Sequence, residues 1–272
     1  MPSAENSNIP LTEPGQSRPP VWLPLFLLVA LTGLVRFLDL DRQWEHEFWT
    51  SQAGWSLAEH PVVRFLYHYG TWPALLVGGI SGLVWMVSHF TNKWTSLRPR
   101  SLFLALLLVL GPGVVVNTIL KEHWRRPRPV QTAEFGGRQP FRPVGAMGRI
   151  DEGKSFPSGH ASMGFYWLGL LVYFWNDRRR LAWAFGGLGL FHGLSMGIGR
   201  MAQGGHWFTD VLWSAGLVYG SAWVLHYVLC HRPPTSFRSC RSPEPFEEPF
   251  APPANFELPT SNFELRNPPR PH

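Results

Sequence analysis

The stretch Ser101-Leu-Phe-Leu-Ala-Leu-Leu-Leu-Val-Leu-Gly-Pro-Gly-Val-Val-Val-Asn-Thr-Ile-Leu120 decides the architecture of this chain. It carries no charge from end to end, and about 20 mostly apolar residues are what an α-helix needs to cross the hydrocarbon core of a bilayer. The Gly111-Pro112-Gly113 triplet near its middle predicts a kink, because proline removes a backbone donor. Comparable apolar runs occupy residues 21–38, 71–90, 158–175, 181–199 and 206–229. Many of the 14 tryptophans stand at their edges, where an interfacial belt holds them. The pattern predicts an all-α, polytopic membrane bundle of about six transmembrane helices.

The rest of the chain is polar. Residues 1–20 and 232–272 are rich in proline and read as a disordered lead and a low-complexity tail around a membrane domain at 21–231. The run at 21–38 has a long polar leader and ends in Arg36, Asp39 and Asp41 rather than at a cleavage site, so it reads as a retained helix. The tail repeats Asn-Phe-Glu-Leu at 255–258 and 262–265, too little for a repeat architecture. Between the first two runs, Trp44, Phe48 and Trp55 fall at helical spacing and predict a short helix in the membrane interface. A formal net charge of +6 in a membrane protein points to lipid headgroups and phosphates rather than nucleic acid. Cys230 and Cys240 provide neither a disulfide framework nor metal-ligand spacing and are expected to be reduced.

With six spans both termini share one side. The short loops after the second and fourth runs lie on that side and are basic, with Lys93, Arg98 and Arg100 in one and Arg178, Arg179 and Arg180 in the other. The positive-inside rule makes that side cytoplasmic and puts the loops after the first, third and fifth runs outside. The third-run loop carries Arg125, Arg126, Arg128, Arg138, Arg142, Arg149 and Lys154, against the raw count; anion chemistry is a reason to keep them there.

Three motifs converge on that outer face. The first, Lys121-Glu-His-Trp-Arg-Arg-Pro-Arg-Pro129, follows directly on the opening stretch and separates Lys121 from Arg128-Pro129 by six residues. The second is Phe156-Pro-Ser-Gly-His160, at the entrance to the fourth run. The third, Gly199-Arg-Met-Ala-Gln-Gly-Gly-His-Trp-Phe-Thr-Asp210, orders Arg200, His206 and Asp210, with Asp210 one turn beyond His206 if a helix starts there. A phosphoryl group in transfer spreads negative charge over its equatorial oxygens, so fixed cations and backbone N–H groups stabilise it most. Lys121, Arg128 and Arg200 supply the cations, while Ser158 and Gly159 offer a hydroxyl and N–H groups at a helix start. Two histidines can divide nucleophilic attack from protonation of the leaving oxygen, and a carboxylate beside His206 can fix its tautomer.

In order and spacing these motifs resemble the signature of the type 2 phosphatidic acid phosphatase family. These membrane lipid phosphatases share a core with bacterial acid phosphatases and vanadium-dependent haloperoxidases. The resemblance covers about residues 121–210, extended by hydropathy to 21–229. It implies that His206 forms a phosphohistidine, that His160 acts as general acid and then base, and that Asp210 supports His206. It also implies that Lys121, Arg128, Ser158, Gly159 and Arg200 hold the phosphate, with no metal and no organic cofactor. The substrate would be a phosphate monoester or diphosphate on a lipid, with lipid A, undecaprenyl diphosphate and glycerolipid phosphates as the candidates. The enzyme would sit in a bacterial-type inner membrane with its site facing the periplasm or outside; oligomeric state stays open. Within the family, residues 117–121, Glu134-Phe135-Gly136-Gly137 and Met201-Ala-Gln-Gly-Gly-His206 look most like bacterial lipid A phosphatases. Two departures stand out: Gly199 replaces the usual Ser, and Arg126-Pro127 offers a second Arg-Pro pair two residues early.

Other readings compete with these. The same pocket could hold vanadate for halide oxidation, although the spans weigh against it, and a non-catalytic lipid-binding protein would not need intact motifs. His192, inside the fifth run, reads as a buried polar contact. Glu122 and Glu134 read as partners for nearby arginines, and His123, Trp124 and Arg125 as solvated or headgroup-facing. Lys154 stands between substrate contact and solvent.

Overall fold

The computed structural model describes residues 19–149 and 153–230. The expected lead and tail, the tail repeats and Cys240 lie outside the described residues, as does the side chain of Cys230. Among the described residues the structure is helical, without a named strand.

The apolar run at the N-terminus forms α1 (Trp22–Phe37), and Asp39 in the left-handed region turns the chain into α2 (Leu40–His46) at a bend of 67°. α3 (Pro61–Tyr69) starts on Pro61, a residue suited to the first helical turn, and leads through Gly70 into α4 (Trp72–Thr91). Of the expected interfacial helix only Trp44 lies in α2; Phe48 and Trp55 fall in the turns between α2 and α3.

The charge-free stretch 101–120 lies in α5 (Arg98–Leu108) and the wider π-type turns over Val109–Leu120, which lead into a last turn, α6 (Lys121–Trp124). The segment around Pro112 takes this wider winding, and Thr95–Gln131 counts as one candidate membrane span. Along this winding the Asn117 side chain donates to the Pro112 carbonyl (2.7 Å) and the Thr118 hydroxyl to that of Gly113 (3.1 Å).

The run at 158–175 is broken into α7 (Gly159–Gly164), a 3₁₀ turn and α8 (Leu168–Tyr173). α9 (Arg179–Met201) and α10 (Phe208–Cys230) complete the bundle. Among the described residues four helices are long and apolar enough to cross a membrane, or five if α1 and α2 count as one bent span. The second, third, fifth and sixth expected spans meet that test. The first stops at 16 residues, and the fourth is a shorter, broken and largely buried segment.

α10 lies at the centre, packed against α1, α2, α5, α7, α8 and α9, around a core that includes Phe103, Leu107, Phe165, Tyr166 and Val218. Close approach depends on missing side chains: a Cβ on Gly164 would stand 2.6 Å from Gly193, so α7 and α9 meet backbone to backbone, as small residues allow in membranes. The outward faces of α1 and α4 leave Trp22, Phe26, Leu76, Ile80 and Phe90 exposed, a surface that needs a lipid environment.

Candidate active site

α10 begins at Phe208, so His206 and Asp210 are not joined by a full regular turn. Nδ1 of His206 stands 3.7 Å from the Asp210 carboxylate, close enough for charge attraction and too far for a hydrogen bond. Its partner is the main-chain carbonyl of Ser155, at 2.6 Å. A carbonyl can only accept, so the proton of neutral His206 sits on Nδ1 and the lone pair on Nε2. The tautomer that the sequence assigned to Asp210 is therefore set by Ser155, because the turn before α10 places the imidazole over residue 155. Burial first, and the nearby Arg200 and Lys121 cations after it, press the His206 pKa from 6.5 to about 4 against the pull of Asp210. The ring is thus neutral at physiological pH.

Asp210 is held from both sides. One oxygen accepts from Arg126 at 2.6 Å; the other accepts from the Ser155 hydroxyl (2.5 Å) and the Trp207 N–H (3.0 Å). Arg126 is fully buried and reaches three further acceptors: Asp41 (2.7 Å), the Thr209 hydroxyl (2.7 Å) and the Arg142 carbonyl (2.8 Å). Asp41 in turn accepts from the N–H and hydroxyl of Thr209, at 2.9 and 2.6 Å. Arg126 thus sits between two buried carboxylates, and a buried charge is tolerated where such partners surround it.

The two Arg-Pro pairs are placed differently. Arg126 is committed to Asp41 and Asp210, while Arg128 is partly exposed, its backbone tied by Gln131 (2.9 Å). Lys121, Arg128 and Arg200 come within electrostatic reach of one another, and Lys121 and Arg200 of both histidines. Lys121 is also steadied by Asn117 at 3.4 Å, and Arg200 by Gln203 at 2.5 Å. Nε of Arg200 is buried without a partner among the described residues. Gly204 turns the chain at φ +62°, and a Cβ on Gly205 would stand 2.4 Å from the Arg200 guanidinium, so the glycine pair lets that cation lie against the loop.

Ser158 caps α7, its hydroxyl accepting from the Ala161 N–H (3.4 Å), and its own N–H goes to the Asp210 carbonyl at 3.3 Å. The N–H groups left at the start of α7 are those beyond it. Gly159 lies against Asn117: a Cβ there would stand 2.4 Å from the Asn117 amide oxygen, so a larger residue would displace that side chain. His160 stacks on Tyr67 with ring centroids 4.9 Å apart.

Three residues of this constellation carried no sequence signal. Asp41 and Thr209 lie at no motif spacing that marks them, and Ser155 acts through its main chain as well as its hydroxyl. Other readings resolve plainly. Glu134 pairs with Arg42 (3.3 Å) as well as His46, but Glu122 pairs with Lys154, not an arginine. Trp124 turns inward onto Phe156 (4.7 Å) instead of outward. His192 accepts from Trp167 at 3.0 Å as a structural contact. Among the described residues no group of three or more His, Cys, Asp or Glu could hold a metal ion.

Residues 102–234 match the model of the PAP2 superfamily. A lipid A 4′-phosphatase of Francisella tularensis subsp. novicida is 35% identical over 221 residues, covering 76% of this chain and 95% of that protein. Lipid A 4′-phosphatases of Rhizobium leguminosarum and Rhizobium etli are 38% identical over 129 residues and 45% over 78. These cover 46% and 28% of this chain, and 54% and 30% of those proteins. No solved structure matches the chain significantly.

Proposed function

The chain belongs to the PAP2 superfamily, and from that premise we propose that it removes a phosphate from lipid A through a phosphohistidine on Nε2 of His206. It is a phosphoric ester hydrolase and a multi-pass bacterial membrane protein. The observation that carries the mechanism is the hydrogen bond from Nδ1 of His206 to the Ser155 carbonyl, which leaves Nε2 as the lone-pair nitrogen, with the Arg200 and Lys121 cations within electrostatic reach of the ring. Lys121, Arg128 and Arg200, with the hydroxyl of Ser158 and the backbone of Gly159, hold the phosphate oxygens.

Burial first, then Arg200, His206 and Lys121, press the His160 pKa from 6.5 to about 4 in the free enzyme; the negative charge of a bound phosphate offsets those cations, so His160 takes up its proton in the complex. Nε2 attacks phosphorus while the bond to the lipid oxygen breaks, and His160 gives that proton to the leaving oxygen. Water then attacks phosphorus as neutral His160 takes a proton from it; the P–N bond breaks and inorganic phosphate leaves. Asp210, anchored by Arg126, stabilises the cationic character that His206 gains in the first step. The basic loops holding Lys93, Arg98 and Arg100 and Arg178 to Arg180 support an inner-membrane orientation with the site on the periplasmic side. Residues 21–231 make up the phosphatase domain in this reading.

Purified protein given lipid A labelled in the 4′-phosphate should form an acid-labile, base-stable protein phosphate that His206→Ala abolishes along with turnover. Near-normal phosphate release by that variant would sink the mechanism. A panel with undecaprenyl diphosphate and glycerolipid phosphates tests the substrate, and vanadate-dependent halide oxidation without phosphate release would overturn the reading as a whole.

A further inference from the structure

We propose that Tyr67, on α3, is a positioning residue that aligns the proton donor His160 and the phosphate-holding Arg200 on one aromatic ring. The inference rests on the roles given to those two residues above. Tyr67 lies outside residues 102–234, so the match to the family model does not extend to it.

α3 is fixed on the end of α9 that carries Arg200. A Cβ on Gly70, just past α3, would fall 2.0 Å from the Met196 sulfur, and one on Gly199 would meet Leu66 at 3.6 Å. Where the family motif usually carries Ser, this chain thus seats a leucine of α3. Leu66 and Gly70 lie one turn apart on the face docked to α9, and the residue between that face and the site is Tyr67. The Tyr67 main chain hydrogen-bonds His160, a contact that any side chain at 67 would leave in place. The Tyr67 ring stacks on that imidazole with centroids 4.9 Å apart and planes within 13°, while the Arg200 guanidinium lies 4.8 Å from the ring centre.

The arrangement suits the chemistry. Arg200 is cationic throughout and His160 is cationic when it must donate, and an aromatic face attracts both. Arginine has many rotamers, and among the described residues its side-chain hydrogen bond is to Gln203. The Tyr67 face removes further freedom that would otherwise be lost on reaching the transition state. Tyr67 keeps 39% of its surface exposed, so it is not a buried core residue whose loss would unfold the protein.

The test compares Tyr67→Phe and Tyr67→Leu with wild type in the full-length purified enzyme, using lipid A and para-nitrophenyl phosphate. Tyr67→Phe keeps the face and is expected to retain wild-type kcat and KM. Tyr67→Leu is expected to lose roughly 3- to 30-fold in kcat/KM on lipid A at unchanged Tm. The loss should shrink on para-nitrophenyl phosphate, whose leaving group needs little protonation; a purely structural role would show no such dependence. Wild-type kinetics in Tyr67→Leu, an equal loss in Tyr67→Phe, or an equal loss on both substrates would overturn the assignment. Absence of phosphate release by the wild-type protein would overturn the underlying phosphatase reading instead.

Discussion

Replacing Arg126 with Met separates a residue that builds the site from one that binds substrate. The wild-type side chain is fully buried and makes hydrogen bonds of 2.6 to 2.8 Å to Asp210, Asp41, Thr209 and the Arg142 carbonyl. Met fills similar space but leaves two buried carboxylates facing one another without a cation. Breaking a buried ion pair by removing one partner costs about 3–5 kcal/mol. At about 2–4 °C per kcal/mol for a chain of this size, Tm should fall by roughly 6–20 °C. Protein that remains folded should lose kcat, because Asp210 is no longer held beside His206, while KM for the lipid changes little. Arg128→Ala should do the reverse, raising KM and lowering kcat/KM with Tm nearly unchanged. The assay is thermal unfolding in detergent beside steady-state phosphate release at several lipid concentrations. If Arg126→Met keeps the wild-type Tm and raises KM as Arg128→Ala does, Arg126 binds phosphate and the reasoning is refuted.

Two further outcomes follow from the same geometry. The His206 pKa lies near 4 in the folded protein, below its ordinary 6.5, so the folded state binds this proton more weakly than the unfolded chain. The stability linked to His206 is therefore fully present above about pH 6.5 and is lost as pH falls towards 4, by about 3 kcal/mol in all. The Tm of His206→Gln should depend less steeply on pH across that window, and parallel curves would contradict the assignment. Asp210→Asn should lower both kcat and Tm, because its amide nitrogen would oppose Arg126, Ser155 or the Trp207 N–H, all of them donors. Since Ser155 holds the proton on Nδ1, the His206 tautomer should survive in this variant, as nitrogen NMR of the ring can read; a shifted tautomer would restore that role to Asp210.

Much of the molecule was legible in its sequence because the controlling signals are local. Charge-free runs of about 20 residues are long enough for a bilayer wherever they occur in a chain. The three motifs bring lysine, arginines and histidines to span ends on one face, and the spacing that favoured Arg128 over Arg126 agrees with Arg126 being occupied. Readings failed where the outcome depended on a distant partner. Pro112 breaks the regular ladder, and the turns around it take a wider π-type winding that the Gly-Pro-Gly triplet alone does not announce. The run at 158–175 has the composition of a span but breaks, with most of its residues buried among neighbouring helices.

By itself the sequence determined that the protein is an all-α membrane bundle and that one face gathers the residue types of phosphoryl transfer, since hydropathy and motif spacing act along the chain. Tertiary structure alone decided how those residues are held. A buried charge can persist only where partners from elsewhere surround it, and the partners of Arg126 come from α2, the 142 loop and the start of α10. The proton of His206 is fixed by a main-chain carbonyl, which every residue possesses, so no choice of side chain could have announced it.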